Sequence, residues 1–287
     1  MAMSEPASRR AWRPRRVLGA VSRHGLLLGF SALALLPIYF MLVNAFKTKP
    51  EYLANRLGPP KNPVLSSLSD AMGGGDLYVW LLNSCLVTGA AVGLSTAIAA
   101  LAAYPLSLMR WRVGPLIFAL LFVLLVVPPI VLVIPIFELV VDLKQLNTFR
   151  TVIVIYTGIM LPFSTFLLAS FFATISRPLI EAARIDGAGT WRVFWLIVLP
   201  LSVPALMTVV IVQALWVWNE VLIAVIFLQD QSLRTLMVGL TLFNSRYRHD
   251  VPIVMAGMMV AAVPMVLLYL AGQRFFIRGL TAGSLKG

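Results

Sequence analysis

Long apolar runs dominate the hydrophobic pattern of the chain. Six stretches follow one another between short polar segments, and each reaches or exceeds the ~20 residues that a helix needs to cross a bilayer. Because lipid offers no hydrogen-bond partners, such stretches must be helices, broken at prolines only where neighbouring helices bury the break. The pattern predicts an all-α, polytopic membrane protein with six transmembrane helices, at residues 25–46, 77–109, 114–141, 151–175, 194–228 and 251–276.

Composition supports lipid as the solvent for much of the chain. Hydrophobic residues make up 60% and charged residues 12% of the 287 positions, with a mean hydropathy of +0.92. Soluble domains carry about 25% charged residues, so this chain has half the usual charge. The single cysteine, Cys85, excludes an internal disulfide, and no Cys/His cluster indicates zinc. We expect neither a metal nor a cofactor.

The net charge of +12 is concentrated at membrane borders. Six arginines precede the first apolar run, which is typical of a segment held in the cytoplasm by the positive-inside rule. Alternate inner segments also carry more Lys and Arg than the outer ones, which predicts that both termini are cytoplasmic. The tail has no interleaved aromatic residues beyond Trp12, so we expect contact with membrane lipid and none with nucleic acid. The six arginines that precede the first apolar run are Arg9, Arg10, Arg13, Arg15, Arg16 and Arg23.

The chain divides by polarity into a basic tail, a first span with its outer loop, and a helical core. The outer loop at 47–76 is rich in Pro and Gly and is predicted to be irregular. A short, partly buried helix is predicted at 233–243 in the last outer loop. The predicted boundaries are 1–24 for the tail, 25–76 for the first span and loop, and 77–287 for the core, with a cytoplasmic loop at 176–190 and a C-terminal tail at 277–287.

The cytoplasmic loop predicts a helix too short to span a membrane. Ser176 is a good N-cap and Pro178 fits the first turn, where no amide donor is needed. Gly187 and Gly189 are suited to ending a helix. The pair Ala182-Ala183 offers a small surface on which another protein can pack closely. The sequence therefore predicts a short docking helix on the cytoplasmic face.

The same loop is similar to the signature loop of bacterial ABC-importer permeases. The match consists of Glu181-Ala182-Ala183, three residues, Gly187, nine residues, Ile197, one residue, then Leu199-Pro200. In that family the loop forms the coupling helix, which sits in a groove of the ATP-hydrolysing subunit. The resemblance implies that the coupling residues are Glu181, Ala182, Ala183, Asp186, Gly187 and Ala188.

Further stretches resemble the sugar-uptake, maltose-permease branch of the family, over Leu77 to Gly287. The resemblance implies a six-span subunit with the type I ABC-importer permease fold, in a bacterial or archaeal cytoplasmic membrane. Its implied partners are a second permease, two ATP-binding subunits and an extracytoplasmic binding protein that delivers a sugar or related polyol. The stretches are Asn83-Ser84, Pro135-Ile136-Phe137, Trp218-Asn219-Glu220, Leu233 to Leu236, Val238-Gly239-Leu240 and Gly279 to Gly287.

The chain itself is not expected to be an enzyme. It contains no Gly-x-x-x-x-Gly-Lys-Ser/Thr nucleotide loop, so ATP hydrolysis would reside in partner subunits. An intramembrane acyltransferase or protease would need a paired Ser/His or His/Asp set at membrane depth, which the sequence lacks. The remaining alternative is an ion-coupled secondary carrier in which Glu220 is the coupling carboxylate.

Polar residues at membrane depth are candidates for substrate contacts. Gln213, Trp216 and Glu220 are spaced i, i+3, i+7 and would form one stripe on a helix. A carboxylate and an amide bind sugar hydroxyls, and an indole covers the C–H face of the ring. In the alternative interpretation Glu220 caps a helix break or binds a neighbouring helix, and Trp216 belongs to an interfacial belt. Asn219 and Asn83 complete the candidate set, although Asn83, like Asn44, also fits a helix–helix contact.

Overall fold

The computed structural model describes residues 14–73, 76–109, 111–246 and 250–284, and every regular element in these ranges is helical. A π-helical turn, Phe194–Val198, lies between α9 and α10, and a 3-10 turn, Gln231–Leu233, lies between α12 and α13. The α-helices are α1 (Pro14–Ala45), α2 (Lys49–Ala54), α3 (Ser66–Gly73), α4 (Asp76–Leu108), α5 (Gly114–Val126), α6 (Pro129–Asp142), α7 (Phe149–Phe172), α8 (Arg177–Ile185), α9 (Thr190–Val193), α10 (Leu199–Leu201), α11 (Val203–Asn219), α12 (Leu222–Phe227), α13 (Leu236–Arg246) and α14 (Val251–Ser284).

The six predicted apolar stretches fall on these helices in two ways. Parts of α1, α4, α7 and α14 are each long and apolar enough to cross a membrane alone. The other two stretches are bent pairs, with 96° between α5 and α6 and 70° between Thr190–Leu201 and α11. Counting each bent pair as one span gives the predicted six.

Proline explains the sharper bend. Pro128 and Pro129 contribute no amide donors, and Pro128 disfavours helical geometry at the residue before it. Val127 accordingly has extended dihedral angles, φ −73° and ψ 116°. The chain then re-enters a helix at Pro129, where the missing amide costs no internal hydrogen bond.

The pair formed by α4 and α7 is the centre of the bundle. The buried face of α4 carries small residues at helical spacing, among them Ala91, Ser95, Ala99 and Ala103. Small side chains let two helices approach closely, which is how helices associate in lipid where burial from water gives no driving force. The Thr157 hydroxyl of α7 donates to the Ala91 carbonyl of α4 across 3.4 Å. α11 packs on both helices of this pair, and α14 packs on α11 and α1.

The loop after α1 contains two short helices, α2 and α3, so the prediction of an irregular loop at 47–76 was wrong for these segments and is confirmed for residues 55–65. Thr48 caps α2 by accepting from the Glu51 amide, and Thr-x-x-Glu is a capping signal that the sequence carries. The Lys47 ammonium is fully buried and donates to Asn44 Oδ1 at 3.0 Å and to the Asn55 carbonyl at 2.7 Å. These contacts fix the loop on the outer end of α1.

The ends of the chain only partly follow the predicted boundaries. The final helix continues from Val251 to Ser284, so the predicted tail at 277–287 is helical as far as Ser284. The predicted basic tail at 1–24 overlaps α1, which begins at Pro14, and its first thirteen residues lie outside the described ranges. The predicted helix at 233–243 is confirmed as α13, which begins at Leu236.

Gly239 of α13 lies against the Trp80 ring of α4, with no room for a side chain between them. A Cβ at this position would overlap the ring, which is 5% exposed. Gly239→Ala should therefore destabilise the protein by about 1–3 kcal/mol, the usual cost of overpacking. We expect a lower unfolding temperature of the detergent-purified protein.

Gly158→Ala on α7 is the matched control, because a Cβ there meets no atom within 4 Å. It should leave the unfolding temperature unchanged or raise it, since alanine favours helix over glycine. Equal unfolding temperatures for Gly239→Ala and the unmodified protein would contradict the close contact between α13 and α4.

Candidate functional site

The loop at 176–190, which the sequence predicts to be cytoplasmic, contains the predicted short helix, α8. It begins after Ser176, with Pro178 in its first turn, although the Ser176 side chain makes no capping hydrogen bond. It ends at Ile185, and Gly187 follows with a φ of 84°, the left-handed conformation of a glycine that ends a helix, as predicted for Gly187. The Ala188 amide donates to the Ala183 carbonyl at 2.9 Å and the Gly187 amide to the Arg184 carbonyl at 3.1 Å. This pair of bonds is a Schellman motif, which stops the helix and turns the chain sharply.

The two faces of α8 differ. Ile180 is 6% exposed and packs, with Ala183, against the apolar cluster formed by α4, α7 and α11. Ile185 is 87% exposed and Leu179 is 45% exposed, and Ala182 is also exposed. Adjacent residues point about 100° apart on a helix, so the two alanines of the predicted docking pair differ in exposure. Ala183 is half-buried against this cluster, whereas Ala182 is exposed, and the predicted role of Ala183 in docking stays a prediction.

The polar members of the loop motif lie on the accessible side. Glu181 and Asp186 are exposed, whereas Ala188 is half-buried beside the same apolar cluster as Ala183. The predicted coupling residues are therefore brought together on one short helix, but they divide between a face that holds the helix in place and a face that is free.

The segment after α8 ties this helix to two long helices. The Tyr104 hydroxyl of α4 donates to the Thr190 carbonyl at 3.1 Å, and the Tyr104 ring lies 5.1 Å from the Phe194 ring. The chain then passes through the π-helical turn, in which the Leu199 amide bonds to the Phe194 carbonyl. The segment after α8 is therefore bonded to α4 and leads directly into the bend before α11.

The fifth span is interrupted a second time, at Glu220. α11 ends at Asn219, Glu220 is extended with φ −73° and ψ 127°, and α12 begins at Leu222. The predicted continuous stripe of Gln213, Trp216 and Glu220 was therefore wrong at its last member. No proline or glycine marks this break in the sequence.

Three groups of the protein donate hydrogen bonds to the Glu220 carboxylate. Its Oε2 accepts from the Tyr156 hydroxyl at 2.6 Å and from the Ala224 amide at 3.3 Å, and its Oε1 accepts from the Ile223 amide at 3.0 Å. Glu220 thus caps the first turn of α12 and joins it to α7. These contacts agree with the alternative interpretation of the sequence, in which Glu220 caps a helix break and binds a neighbouring helix.

The other predicted substrate residues lie in three places. Gln213, 3% exposed, and Trp216, 39% exposed, face one cavity between α6, α7 and α11. Asn219 bonds to the Leu215 carbonyl of its own helix at 2.7 Å and lines a different cavity of about 350 Å³, beside α13 and α14. Asn83 lines neither of these two cavities.

Asn83 and Ser84 hold the last outer loop against α4. The Asn83 amide donates to the Ser232 and Arg234 carbonyls at 2.8 and 2.9 Å. The Leu236 amide, the first of α13, donates to Ser84 Oγ at 2.8 Å, so Ser84 acts as a cap supplied by another helix. Asn83-Ser84 and Leu233 to Leu236, two of the stretches that resemble sugar permeases, therefore bind each other and form the joint between α4 and α13. Asn83 accordingly makes a contact between structural elements of the protein.

Asp230 stabilises the turn next to this joint by hydrogen bonds within the loop. Asp230 accepts from the amide and the hydroxyl of Ser232 at 2.9 and 2.8 Å, and these hydrogen bonds hold the pKa of Asp230 below its usual range. Among the residues that the structure describes, no three His, Cys, Asp or Glu side chains are grouped to hold a metal ion.

Removing the Tyr156–Glu220 contact should destabilise the outer half of the fifth span. We expect Tyr156→Phe and Glu220→Gln each to lower the unfolding free energy of the purified protein by about 1–3 kcal/mol, since each leaves a buried polar group with fewer partners. The two losses should not add in the double variant, because both remove the same bond.

Glu138→Gln is the matched control, since Glu138 is an exposed carboxylate on α6 with no hydrogen-bond partner in the described structure. Unfolding curves of Tyr156→Phe, Glu220→Gln, the double variant and Glu138→Gln measure the change in unfolding free energy. Fully additive losses in the double variant would mean that Tyr156 and Glu220 stabilise the protein independently.

Comparison with known proteins agrees with this fold and loop. Residues 93–279 match the family model described as the inner membrane component of binding-protein-dependent transport systems. The chain is 35% identical over 253 residues to the melibiose/raffinose/stachyose import permease protein MelC of Bacillus subtilis. The aligned region covers 88% of this chain and 91% of that protein. It is 33% identical over 254 residues to the sulfoquinovosyl glycerol transport system permease protein SmoH of Agrobacterium fabrum, covering 88% and 89%.

A solved structure shares the fold. A chain of a bacterial ABC transporter involved in the import of the acidic polysaccharide alginate superposes with a TM-score of 0.80 at 22% identity, covering 94% of this chain and all of that one. The family match spans the core from α4 into α14, including α8 and its Schellman turn. The chain therefore belongs to the family of inner-membrane components of binding-protein-dependent transport systems, the ABC-importer permeases that its cytoplasmic loop resembles.

Proposed function

We propose that this chain is one of two permease subunits of an ATP-driven importer for a sugar or a related polyol. The relatives named above support the substrate class, since one imports melibiose, raffinose and stachyose and another transports sulfoquinovosyl glycerol. The observation that carries the proposal is α8, a short helix fixed on one face and apolar and accessible on the other.

The complete importer would contain a second permease, two ATP-binding subunits and an extracytoplasmic binding protein. Large apolar surfaces on single helices support a second membrane subunit. Leu28 and Leu33 of α1 are 71% and 66% exposed, and Ile134 of α6 is 71% exposed. Since α6 is too short to span alone, its apolar side would be covered better by another protein than by lipid.

Both termini would lie in the cytoplasm, with α8 on the same side. The arginine-rich N-terminal segment and the arginines of the α8–α9 region, Arg177, Arg184 and Arg192, support this orientation under the positive-inside rule. The joint between α4 and α13 would then face outward, where the binding protein delivers its cargo.

Coupling to ATP hydrolysis would run through the free face of α8. Leu179, Ala182 and Ile185 would insert into the groove of the ATPase, and burying a side chain the size of isoleucine is worth about 1.5–3 kcal/mol. Closure of the ATPases on ATP would pull α8. The bond from Tyr104 to Thr190 and the π-helical turn would pass that movement to the long helices.

Ile185→Asp should uncouple the importer without unfolding the permease. A carboxylate in the apolar groove would be desolvated without a partner, whereas in the free permease it would stay in water. We expect normal amounts of permease in the membrane, loss of the ATPase on co-purification, and loss of hydrolysis stimulated by the binding protein. A cysteine at Ile185 should react with an impermeant maleimide in inside-out vesicles and not in intact cells.

Two variants on α8 serve as controls for this result. Ile185→Leu keeps the apolar contact and should keep the ATPase bound. Ala183→Asp places the charge on the inward face, so it should lower the unfolding temperature of the permease itself, an effect that Ile185→Asp should lack. Normal co-purification and normal stimulated hydrolysis in Ile185→Asp would show that this face does not dock the ATPase.

The ion-coupled carrier gains no support from the geometry of Glu220. A coupling carboxylate has to bind and release a cation, whereas the Glu220 oxygens accept hydrogen bonds from Tyr156, Ile223 and Ala224, which is the arrangement of a helix cap.

A further inference from the structure

A cavity of about 350 Å³ lies where α11, α13 and α14 meet. Its volume falls within the range of about 300–1,000 Å³ that is typical of small-molecule sites. Apolar side chains form most of its wall, and two of the residues in the wall, Asn219 and Thr241, carry exposed polar side chains. The cavity is separate from the exposed face of α8 and from the joint between α4 and α13.

The Asn219 amide is oriented by its own helix. Its Nδ2 donates to the Leu215 carbonyl at 2.7 Å. A backbone carbonyl accepts and never donates, so the nitrogen has to face it and the oxygen takes the other end of the amide. Asn219 Oδ1 accepts no hydrogen bond from any residue that the structure describes. Since the side chain is exposed, a molecule in the cavity can reach this acceptor.

The Thr241 hydroxyl is oriented in the same way. It donates to the Val238 carbonyl, one turn earlier in α13, at 2.7 Å, and this bond uses its single hydrogen. The oxygen keeps its lone pairs, and the side chain is exposed. Asn219 and Thr241 therefore each leave an oxygen available to accept, and a ligand that meets both has to supply two donors.

Hydroxyl groups are the donors that fit this wall. A bound cation would need a negative charge nearby, and none of the described residues that line the cavity is charged. A sugar or polyol combines hydroxyl donors with an apolar C–H surface. Three methionines, Met237, Met258 and Met265, are suited to covering such a surface, because their flexible side chains adapt to irregular shapes. Met258 is 39% exposed.

The position of Asn219 indicates what this wall faces. Asn219 is the last residue of α11 and lies inside the apolar stretch 194–228. Lipid tails carry no hydrogen-bond donor, so an exposed amide oxygen at this depth has to face water or a polar molecule. α13, which forms another wall of the cavity, belongs to the last outer loop. In the orientation proposed above, the cavity lies in the outer half of the bundle, on the side where the binding protein delivers its cargo.

We propose that this cavity binds one ring of the transported sugar, or the equivalent part of a polyol, as it enters the pathway. Asn219 Oδ1 and Thr241 Oγ1 each accept a hydrogen bond from one hydroxyl, and the methionines cover an apolar C–H face. The proposal rests on the function proposed above and extends it by placing a substrate contact on this subunit. It selects Asn219 from the predicted set and adds Thr241, which the sequence did not single out.

The test uses the complete importer in proteoliposomes, with its binding protein outside and ATP inside. A panel of radiolabelled glucose, galactose, maltose, melibiose, raffinose and sorbitol first identifies a compound that the unmodified importer takes up. Uptake of that compound is then compared with uptake of its singly deoxygenated analogues. Asn219→Ala removes the amide, and Thr241→Val removes the hydroxyl while keeping the shape of the side chain. Each variant tests the subsite independently of the other.

Thr208→Val is the matched control for Thr241→Val. Thr208 donates to the Pro204 carbonyl of its own helix at 2.9 Å, as Thr241 does to Val238, but it does not line the cavity. Thr208→Val should leave uptake of the parent compound and of every analogue unchanged. Thr241→Ser keeps the hydroxyl and should keep the preference among the analogues.

We expect Asn219→Ala to lower uptake of the parent compound about three- to tenfold, as for the loss of one hydrogen bond. The same variant should barely change uptake of the one analogue that lacks the hydroxyl bound by Asn219. Thr241→Val should behave likewise with a different analogue, because the two oxygens accept from different hydroxyls. Hydrolysis stimulated by the loaded binding protein should persist in every variant.

Equal losses for the parent compound and for every analogue in both variants would overturn the subsite, because a structural role or a contact with the second permease affects all of them alike. Unchanged uptake in both variants would also overturn it and would leave the proposed function intact. If the unmodified importer takes up no member of the panel although its binding protein stimulates ATP hydrolysis, the proposed function itself fails, and the subsite with it.

Discussion

Every backbone donor and acceptor at membrane depth needs a partner inside the protein, and this constraint shapes each place where the chain leaves a helix. At the break after α11, Glu220 supplies acceptors for the first amides of α12. At the outer end of α7, Asn147 adopts a φ of 57° and accepts from the Gln229 and Asp230 amides, which closes the chain beyond α12. At α13 the cap comes from Ser84 of α4. Broken helices are possible in this bundle because side chains from other helices complete them.

The same constraint separates residues that build the pathway from residues available to a substrate. A carboxylate at membrane depth suggests an ion or a sugar, yet here it meets the needs of a helix break. Of the predicted substrate residues on α11 near the bend at Pro129, Trp216 is 39% exposed, whereas Gln213 is buried. Ile180 and Ala183 anchor α8 to the bundle, so that its other face, which includes Ile185, stays exposed.

The sequence predicted the elements whose signals are local. The apolar stretches, the short helix α8 and the turn at Gly187 all follow from hydrophobicity, proline and glycine placement. The capping signal at Thr48 and Glu51 was also present, and it identifies α2 in a loop that the proline content had suggested was irregular. The inward face of α8 was ambiguous, because apolar residues occupy adjacent positions at Leu179 and Ile180 and again at Ala182 and Ala183.

The remaining features depend on contacts far apart in the chain. The partners of Asn83 lie 149 and 151 residues away, and Tyr156 lies 64 residues from Glu220, so no local pattern connects them. The break at Glu220 is likewise stabilised by α7, and its own sequence carries no proline or glycine to indicate it.

Whether this chain works as the permease of an ATP-driven importer is tested most directly by the energy source of transport. Proteoliposomes that hold the complete importer, with the binding protein and radiolabelled sugar outside, are given either internal ATP or an imposed ion gradient. The account predicts uptake that requires both ATP and the binding protein and that continues when ionophores collapse every gradient. Uptake that follows the ion gradient in the absence of ATP would contradict it.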